Sequence, residues 1–181
     1  MKKINTLLFA LLVYALVFGQ MQQQVKMNPV IKSYGPVYQI PGAAHKPDPK
    51  INYKIIVELT ENAAKPDSLN EYLEAIATLI NLHAVEGVPK ENIHVVVVLR
   101  KMATYAVFGN EMYKEKFKVD NPNLQLLKEL RDAGTEFYVC GQTMLKRNIS
   151  ENKLVAEAKI ASAGLTAITT YQLKGYTMIK F

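Results

Sequence analysis

Residues 93–99 read Ile-His-Val-Val-Val-Val-Leu, and this almost unbroken apolar run decides the fold class. A strand that is apolar on both sides needs cover on both faces, as in a parallel sheet between layers of helices. Residues 53–59 and 136–140 are similar short runs, rich in residues that favour strands. We therefore predict three strands, at Tyr53–Leu59, Ile93–Leu99 and Glu136–Cys140.

Helical patterns lie between these runs. Apolar side chains recur at helical spacing over Leu69–His83, which predicts a helix that ends near Gly87. Asn121 before Pro122 predicts the cap and first turn of another helix, and Gly134 predicts its end. Helices that alternate with strands in this way are typical of an α/β protein.

The remaining segments extend the alternation. We predict one or two short helices within Arg100–Asp120 and a short helix over Ser150–Ala158. A weak fourth strand at Lys159–Ser162, a helix at Leu165–Leu173 and a last strand at Tyr176–Lys180 follow. Right-handed crossovers then give a three-layer α/β fold, a parallel sheet of about five strands with helices on both faces.

The first residues form a separate unit. Lys2 and Lys3 precede an apolar run at 7–18, and Gly19 is a small residue at the position of a signal-peptidase cut. This is the pattern of a secretory signal peptide, so we expect residues 1–19 to be removed and the protein to be periplasmic or secreted. A retained membrane anchor is the alternative, although the run is short for the ~30 Å core of a bilayer.

Residues 20–50 are a proline-rich segment that precedes the predicted domain; we call this segment the lead-in. Prolines at positions 29, 36, 41, 47 and 49 prevent a continuous helix or strand ladder. Apolar pieces such as Val37–Ile40 could still dock on the rest of the chain. The folded domain is expected to cover residues 51–181.

Composition and motifs exclude several function classes. The formal net charge is +6, but no basic cluster carries the aromatic side chains that nucleic acids need, so no nucleic-acid partner is expected. Thr60–Lys65, after the first predicted strand, lacks the glycines of a nucleotide-binding turn. His45, His83 and His94 show no spacing typical of metal ligands, so neither a metal nor a cofactor is expected.

Cys140 is the only cysteine and the strongest candidate for chemistry. Without a second cysteine no internal disulfide can form, so the thiol must be buried and inert, paired with another molecule, or reactive. Cys140 ends a predicted strand, and parallel sheets bind ligands beyond the carboxyl ends of their strands. Gly141 would let the backbone turn sharply and leave the sulfur uncrowded. The residues alone leave the buried and the reactive alternatives open.

The surroundings of the cysteine would favour its thiolate. Free amide groups in the turn after it, with Arg100 or Lys146 nearby, would lower the pKa of the thiol. Arg100 and Lys101 follow the second predicted strand, where they could bind an anion or simply be solvated. The predicted site consists of Cys140, Gly141, Gln142, Thr143 and Arg100.

Several short motifs of the chain together indicate a protein family. They are Asn121-Pro122-Asn123, Leu127–Leu130, Ala133-Gly134, Tyr138–Thr143 and Gln172–Tyr176. With these motifs the chain, from about residue 53 to its end, resembles the exported branch of the DsrE/DsrF-like family of sulfur-relay proteins.

The resemblance implies a flavodoxin-like fold, assembly into trimers or hexamers, and a Cys140 that can carry sulfur as a persulfide. Many relatives place a histidine and a glycine after the second strand, whereas this chain has Arg100-Lys101-Met102. A histidine-assisted step is therefore not implied here. Apolar residues such as Tyr105, Val107 and Phe108 could supply the contacts between subunits.

Two hypotheses follow. In the first, this is an exported sulfur-handling protein that accepts sulfane sulfur on Cys140 and passes it on as a persulfide, by exchange with a donor or acceptor protein. In the second, it is a non-catalytic module that binds a small ligand or assembles, and Cys140 is buried and inert. We expect a homo-oligomer, with a trimer favoured, and no stable membrane anchor after cleavage.

Overall fold

A five-stranded parallel sheet forms the centre of the protein, in a computed structural model that describes residues 25–181. The strands follow the order β4-β3-β2-β1-β5, and every neighbouring pair is parallel. Their bounds are β1 Tyr53–Leu59, β2 Ile93–Leu99, β3 Glu136–Cys140, β4 Ala158–Ala161 and β5 Thr177–Lys180. The three strands predicted from apolar runs are confirmed, as is the α/β fold with a sheet of about five strands.

The apolar run that predicted the fold forms the central strand. β2 pairs with β1 on one side and with β3 on the other. Its side chains from Val95 to Leu99 are all buried, on both faces of the sheet. Branched valines pack well on such a pleated surface, so the run needs no alternation of apolar and polar residues.

Five α-helices occur within residues 25–181. They are α1 Glu71–Val85, α2 Asn110–Phe117, α3 Leu124–Asp132, α4 Gly141–Arg147 and α5 Gly164–Leu173. Short 3₁₀ segments occupy Lys90–Asn92, Lys101–Val107 and Glu151–Lys153. α1 begins where the Asn70 side chain accepts hydrogen bonds from the main-chain N–H groups of Tyr72 and Leu73.

The helices cover the two faces of the sheet unevenly. Side chains of α1, α3 and the 3₁₀ segment 101–107 form the large core on one face. α5 packs on the other face, where Ile168 contacts a small core made by Ile56, Val96 and Val98. Helices therefore lie on both faces, as predicted, and α5 reaches its face from the carboxyl end of β4.

The prediction that Asn121 caps a helix is wrong. The helix is α3, which begins at Leu124 with Asn123 in the cap position. The Asn121 side chain instead donates to the main-chain oxygens of Ala106 and Phe108, at 3.0 and 2.7 Å. Its own oxygen accepts the N–H of Asn123 at 2.9 Å, which makes a turn before the helix.

The helix predicted over Ser150–Ala158 is also wrong. Only the 3₁₀ segment Glu151–Lys153 forms there, because the Ser150 hydroxyl bonds to the Asn152 side chain instead of capping a helix. The helix between β3 and β4 is α4, which starts directly after Cys140. Asn148 ends it in the left-handed conformation, with a φ of 51°.

The apolar residues expected between subunits are part of the core. Tyr105, Val107 and Phe108 are buried within the single chain. The Tyr105 ring packs edge-on against the rings of Phe108 and Phe117, with centroids 5.1 and 5.6 Å apart. These side chains are therefore not available for contacts with another subunit.

The lead-in is anchored to the domain by one buried side chain of α1. The Asn81 oxygen accepts the main-chain N–H groups of Val30 and Ile31, at 3.0 and 2.9 Å. Its amide group donates to the main-chain oxygens of Ile31, Tyr34 and Gly35, at 3.1, 3.1 and 2.9 Å. Ile31 itself belongs to the main core, so the lead-in adds to the folded unit.

The rest of the lead-in packs in part. Val37 is buried and forms an isolated antiparallel bridge with Met27, whereas Ile40 is exposed. The predicted signal peptide, residues 1–19, lies outside the described residues. Within residues 25–181, no helix is both long and apolar enough to span a bilayer.

Candidate functional site at the carboxyl end of the sheet

A crevice opens where two helices leave the sheet towards opposite faces. α4 follows β3 and sends Met144 into the large core, whereas α5 follows β4 and sends Ile168 into the small core. β3 and β4 are neighbours in the sheet, so the first turns of both helices flank one point at its carboxyl edge. Open α/β sheets bind ligands at such divergence points, and here the point holds Cys140.

Cys140 is the last residue of β3 and the cap residue of α4. The residue is only 5% exposed, yet it lines a cavity at the carboxyl edge of the sheet. The sulfur therefore lies at the floor of a recess and is not sealed inside the core. The cavity is the route by which a small molecule would approach it.

Hydrogen bonding lowers the pKa of the Cys140 thiol, although burial alone would raise it. Burial is the largest single influence. It is outweighed by the main-chain N–H of Gly164 together with the hydroxyl and N–H of Thr143 and the N–H of Gln142. These donors favour the thiolate because the anion accepts hydrogen bonds more strongly than the neutral thiol.

The Thr143 hydroxyl is oriented from the neighbouring strand end. Lys101 donates its main-chain N–H to Oγ1 of Thr143 at 3.3 Å. A hydroxyl that accepts one bond can still donate its own proton, and this proton stabilises the Cys140 thiolate. Lys101 has a φ of 50°, in the left-handed region that non-glycine residues rarely adopt. The conformation costs on the order of 1 kcal/mol and aims the amide at Thr143.

Gly141 is required by a close approach of two chain segments, not by a sharp turn. Its φ is not positive, and it begins α4 without a break after β3. A Cβ at this position would lie 2.9 Å from the main-chain oxygen of Ala161 and 3.3 Å from that of Ser162. Glycine therefore lets the end of β4 pack directly against the start of α4.

Arg100 is held across the start of α5. It forms an ion pair with the buried carboxylate of Glu58, which also lies 3.5 Å from Nζ of Lys180. A Cβ on Gly164 would come within 2.6 Å of Cδ of Arg100, so the arginine side chain lies directly over this glycine. Two strand ends and α5 thus fix the position of one cation beside the cysteine.

The cavity in front of Cys140 is strongly basic. Its volume is about 590 Å³, and its lining includes the basic residues Arg100, Lys101, Lys146 and Arg147 and no acidic residue. Arg147 also places its guanidinium 5.7 Å from the centroid of the Tyr105 ring. Such a recess can hold an anion next to a nucleophilic sulfur.

The structure brings the predicted site residues together. Cys140, Gln142, Thr143 and Arg100 line the cavity, and Gly141 supports its floor. The Gln142 side chain lies at the rim, with its amide nitrogen 3.5 Å from the main-chain oxygen of Ser162. Among residues 25–181, no three His, Cys, Asp or Glu side chains are grouped as metal ligands would be.

Three contributors were missed from the sequence. Glu58 could have been noticed as a lone acid inside the apolar run of β1, which indicates a buried ion pair. Gly164 could have been noticed as a glycine at the start of a predicted helix. Arg147 carried no signal, because its place at the cavity depends on where α4 begins and ends.

The comparison with curated proteins gave no match, whereas solved structures with a similar fold were found. Two similar solved structures are MTH1491, a protein of unknown function from Methanobacterium thermoautotrophicum, with a TM-score of 0.54, and the ychN protein from E. coli, with a TM-score of 0.51. Each is 19% identical and covers 71% of this chain and 99% of the other chain, and so low an identity shows the fold alone.

The family comparison goes further. The DsrE/DsrF-like family matches residues 55–181, from within β1 to Phe181, including the residues that line the cavity and Cys140. The match thus spans well over half of the chain. The protein therefore belongs to the DsrE/DsrF-like family.

Proposed function

We propose that this protein carries sulfane sulfur as a persulfide on Cys140. The observation that carries the proposal is the position of the Cys140 sulfur, which lies at the floor of a basic cavity with its thiol pKa lowered by four hydrogen-bond donors. A thiolate is the form that attacks sulfur, so these donors prepare the residue for exchange. Membership of a family that includes sulfur-relay proteins supports the same reading.

The exchange needs no external oxidant or reductant. The Cys140 thiolate attacks the outer sulfur of a donor persulfide, the donor S–S bond breaks, and the donor thiolate leaves with the bonding electrons. The outer sulfur is then bonded to Cys140 as a persulfide anion. The amide donors of Gln142, Thr143 and Gly164 face this group and stabilise its charge. An acceptor thiolate attacks the outer sulfur in turn and restores Cys140.

Labelling and cyanide release together test this proposal. Native protein should react quickly with a small thiol reagent, because the sulfur opens into the cavity. Protein loaded with polysulfide should then release thiocyanate when cyanide is added, since cyanide removes the outer sulfur of a persulfide. A thiol that reacts only in denaturant, with no thiocyanate release, would favour a non-catalytic module in which the same basic cavity binds an anion.

Export is part of the proposal. Its support is the arrangement of Lys2, Lys3, the apolar run at 7–18 and Gly19, which is typical of a secretory signal peptide. The mature protein is then periplasmic or secreted and begins at Gln20. Intact-mass measurement on protein from the native host tests this, and a mass that still includes residues 1–19 would contradict it.

Self-association is the last part of the proposal. We propose that the protein acts as a homo-oligomer and that this oligomer is a trimer. Apolar side chains on the surface support it: Leu173 is 91% exposed, Leu145 78% and Leu165 59%. Exposed leucines of this kind are common where subunits meet. Light scattering at micromolar concentration is the measurement, and a monomer there would contradict the proposal. The sulfur donor or acceptor is expected to be a further partner.

A further inference from the structure

The charges around Cys140 do not balance within the chain. The cavity is lined by four basic side chains and by no acidic one. Arg100 already has a partner, the Glu58 carboxylate, which it shares with Lys180. Over residues 25–181, no carboxylate lies within ion-pair distance of the other three, Lys101, Lys146 and Arg147.

These three cations carry more positive charge than the cysteine can offset. A Cys140 thiolate, or the persulfide that replaces it, carries one negative charge and offsets one of them. Two positive charges are then left facing the cavity. A recess that concentrates like charges in this way attracts anions and is best neutralised by a ligand with two negative charges.

The recess also limits the size of the ligand. Cys140 is 5% exposed at the floor of a cavity of about 590 Å³, so the sulfur is reached by a small molecule that enters. Lys101 comes from the end of β2, whereas Lys146 and Arg147 come from the end of α4. The main-chain N–H of Lys101 bonds to Thr143 of α4, so the three cations come from adjoining segments, where they can bind one compact anion together.

We propose that the sulfur donor is a small, doubly charged oxyanion with a sulfane sulfur, of the thiosulfate type. Its sulfonate end lies among Lys101, Lys146 and Arg147, and its outer sulfur faces the Cys140 sulfur. This inference rests on the proposed function and names the class of its substrate.

The reaction balances without a co-reactant. The Cys140 thiolate attacks the outer sulfur of thiosulfate, a new S–S bond forms, and the S–S bond of thiosulfate breaks. Sulfite leaves with the bonding electron pair, and Cys140 becomes a persulfide anion. The total charge is unchanged, so the cations that bound thiosulfate also hold the departing sulfite until it leaves the cavity.

The test compares two donors on the full chain. Thiosulfate is the doubly charged probe, and the persulfide of 2-mercaptoethanol, with a single charge, is the comparison donor. Sulfite release and the gain of sulfur mass are measured for wild type, Lys146→Gln and the control Lys54→Gln. Lys54→Gln removes the same positive charge as Lys146→Gln, but at the amino end of β1, away from the cavity. Circular dichroism checks the fold of each variant.

We expect Lys146→Gln to raise the half-saturating concentration of thiosulfate about fivefold, as for the loss of one partly screened charge contact. Loading by mercaptoethanol persulfide should change less than about twofold, and Lys54→Gln should behave as wild type. If mercaptoethanol persulfide loads Cys140 but thiosulfate releases no sulfite, or if Lys146→Gln has no effect on thiosulfate, this inference is overturned and the proposed function stands. If neither donor loads Cys140, the proposed function itself fails.

Discussion

The side chain of Arg100 lies directly across the Cα of Gly164, so that a Cβ there would come 2.6 Å from Cδ and 2.7 Å from Cγ of the arginine. The N–H of the same glycine stabilises the Cys140 thiolate. One glycine thus favours the thiolate through its N–H and leaves the space that the Arg100 side chain occupies. The end of β2 and the start of α5 are coupled through this contact.

Gly164→Ala should disturb the site without unfolding the protein. The new methyl group cannot share its place with the Arg100 stem, so the flexible arginine side chain must leave its present position beside the cavity. We expect sulfur loading of Cys140 to slow on the order of fivefold, comparable to the loss of one charged contact. Gly42→Ala is the control, because nothing lies within 4 Å of a Cβ there. Equal loading rates in both variants would show that the contact does not matter.

Gly141→Ala should lower stability. Its Cβ would lie 2.9 Å from the main-chain oxygen of Ala161, and a main-chain atom cannot swing away as a side chain can. We expect α4 and β4 to be forced apart, at a cost of about 1–3 kcal/mol in the free energy of unfolding. Urea denaturation measures this, again against Gly42→Ala. A variant as stable as wild type would contradict the close packing of α4 on β4.

Thr143→Val tests the hydroxyl that faces the sulfur. Loss of this donor should raise the pKa of Cys140 towards its ordinary value, so less thiolate is present at pH 7. Alkylation by iodoacetamide at pH 7 should slow on the order of two- to tenfold, which corresponds to the free energy of one hydrogen bond. At pH values well above both pKa values, the variant should react at least as fast as wild type, because a thiolate of higher pKa is the stronger nucleophile.

Thr143→Ser is the matched control for this series. It keeps the hydroxyl that accepts the Lys101 N–H, so its pH profile should follow that of wild type. If the valine variant gives the same profile as well, the hydroxyl does not act on the thiolate.

Asn81→Ala should detach the lead-in from the domain. The change leaves main-chain groups of Val30, Ile31 and Gly35 without their buried partner. We expect a loss of about 3 kcal/mol in the free energy of unfolding and faster proteolysis within residues 25–50. Asn152→Ala, at an exposed position, should change stability by less than about 0.5 kcal/mol. Unchanged proteolysis of Asn81→Ala would show that the lead-in is held by other contacts.

The sequence predicts those parts of this protein that depend on local pattern. β2 could be placed from its own residues because a buried central strand must be apolar on both faces. The position of Cys140 at a strand end follows from the same reasoning. Arg100 was expected near the sulfur because the carboxyl ends of parallel strands meet at one edge.

Other features depend on contacts between distant segments. α4 was missed because its first residue is a glycine, which disfavours helix, and the reason for that glycine is the end of β4. Asn121 is a residue type that caps helices and it precedes a proline, yet its side chain donates hydrogen bonds to the main-chain oxygens of Ala106 and Phe108. The order of the strands and the role of Gly164 likewise follow from packing that no local pattern records.

Mass spectrometry of Cys140→Ser and wild type tests the central claim most directly. Cys140 is the only cysteine, so any sulfur bound to a thiol must be on it. After treatment with polysulfide and removal of the excess, native wild-type protein should gain the mass of added sulfur and lose it again on reduction. Cys140→Ser, shown to be folded by circular dichroism, should gain none. A wild type that takes up no sulfur, or a folded Cys140→Ser that gains as much as wild type, would contradict the account.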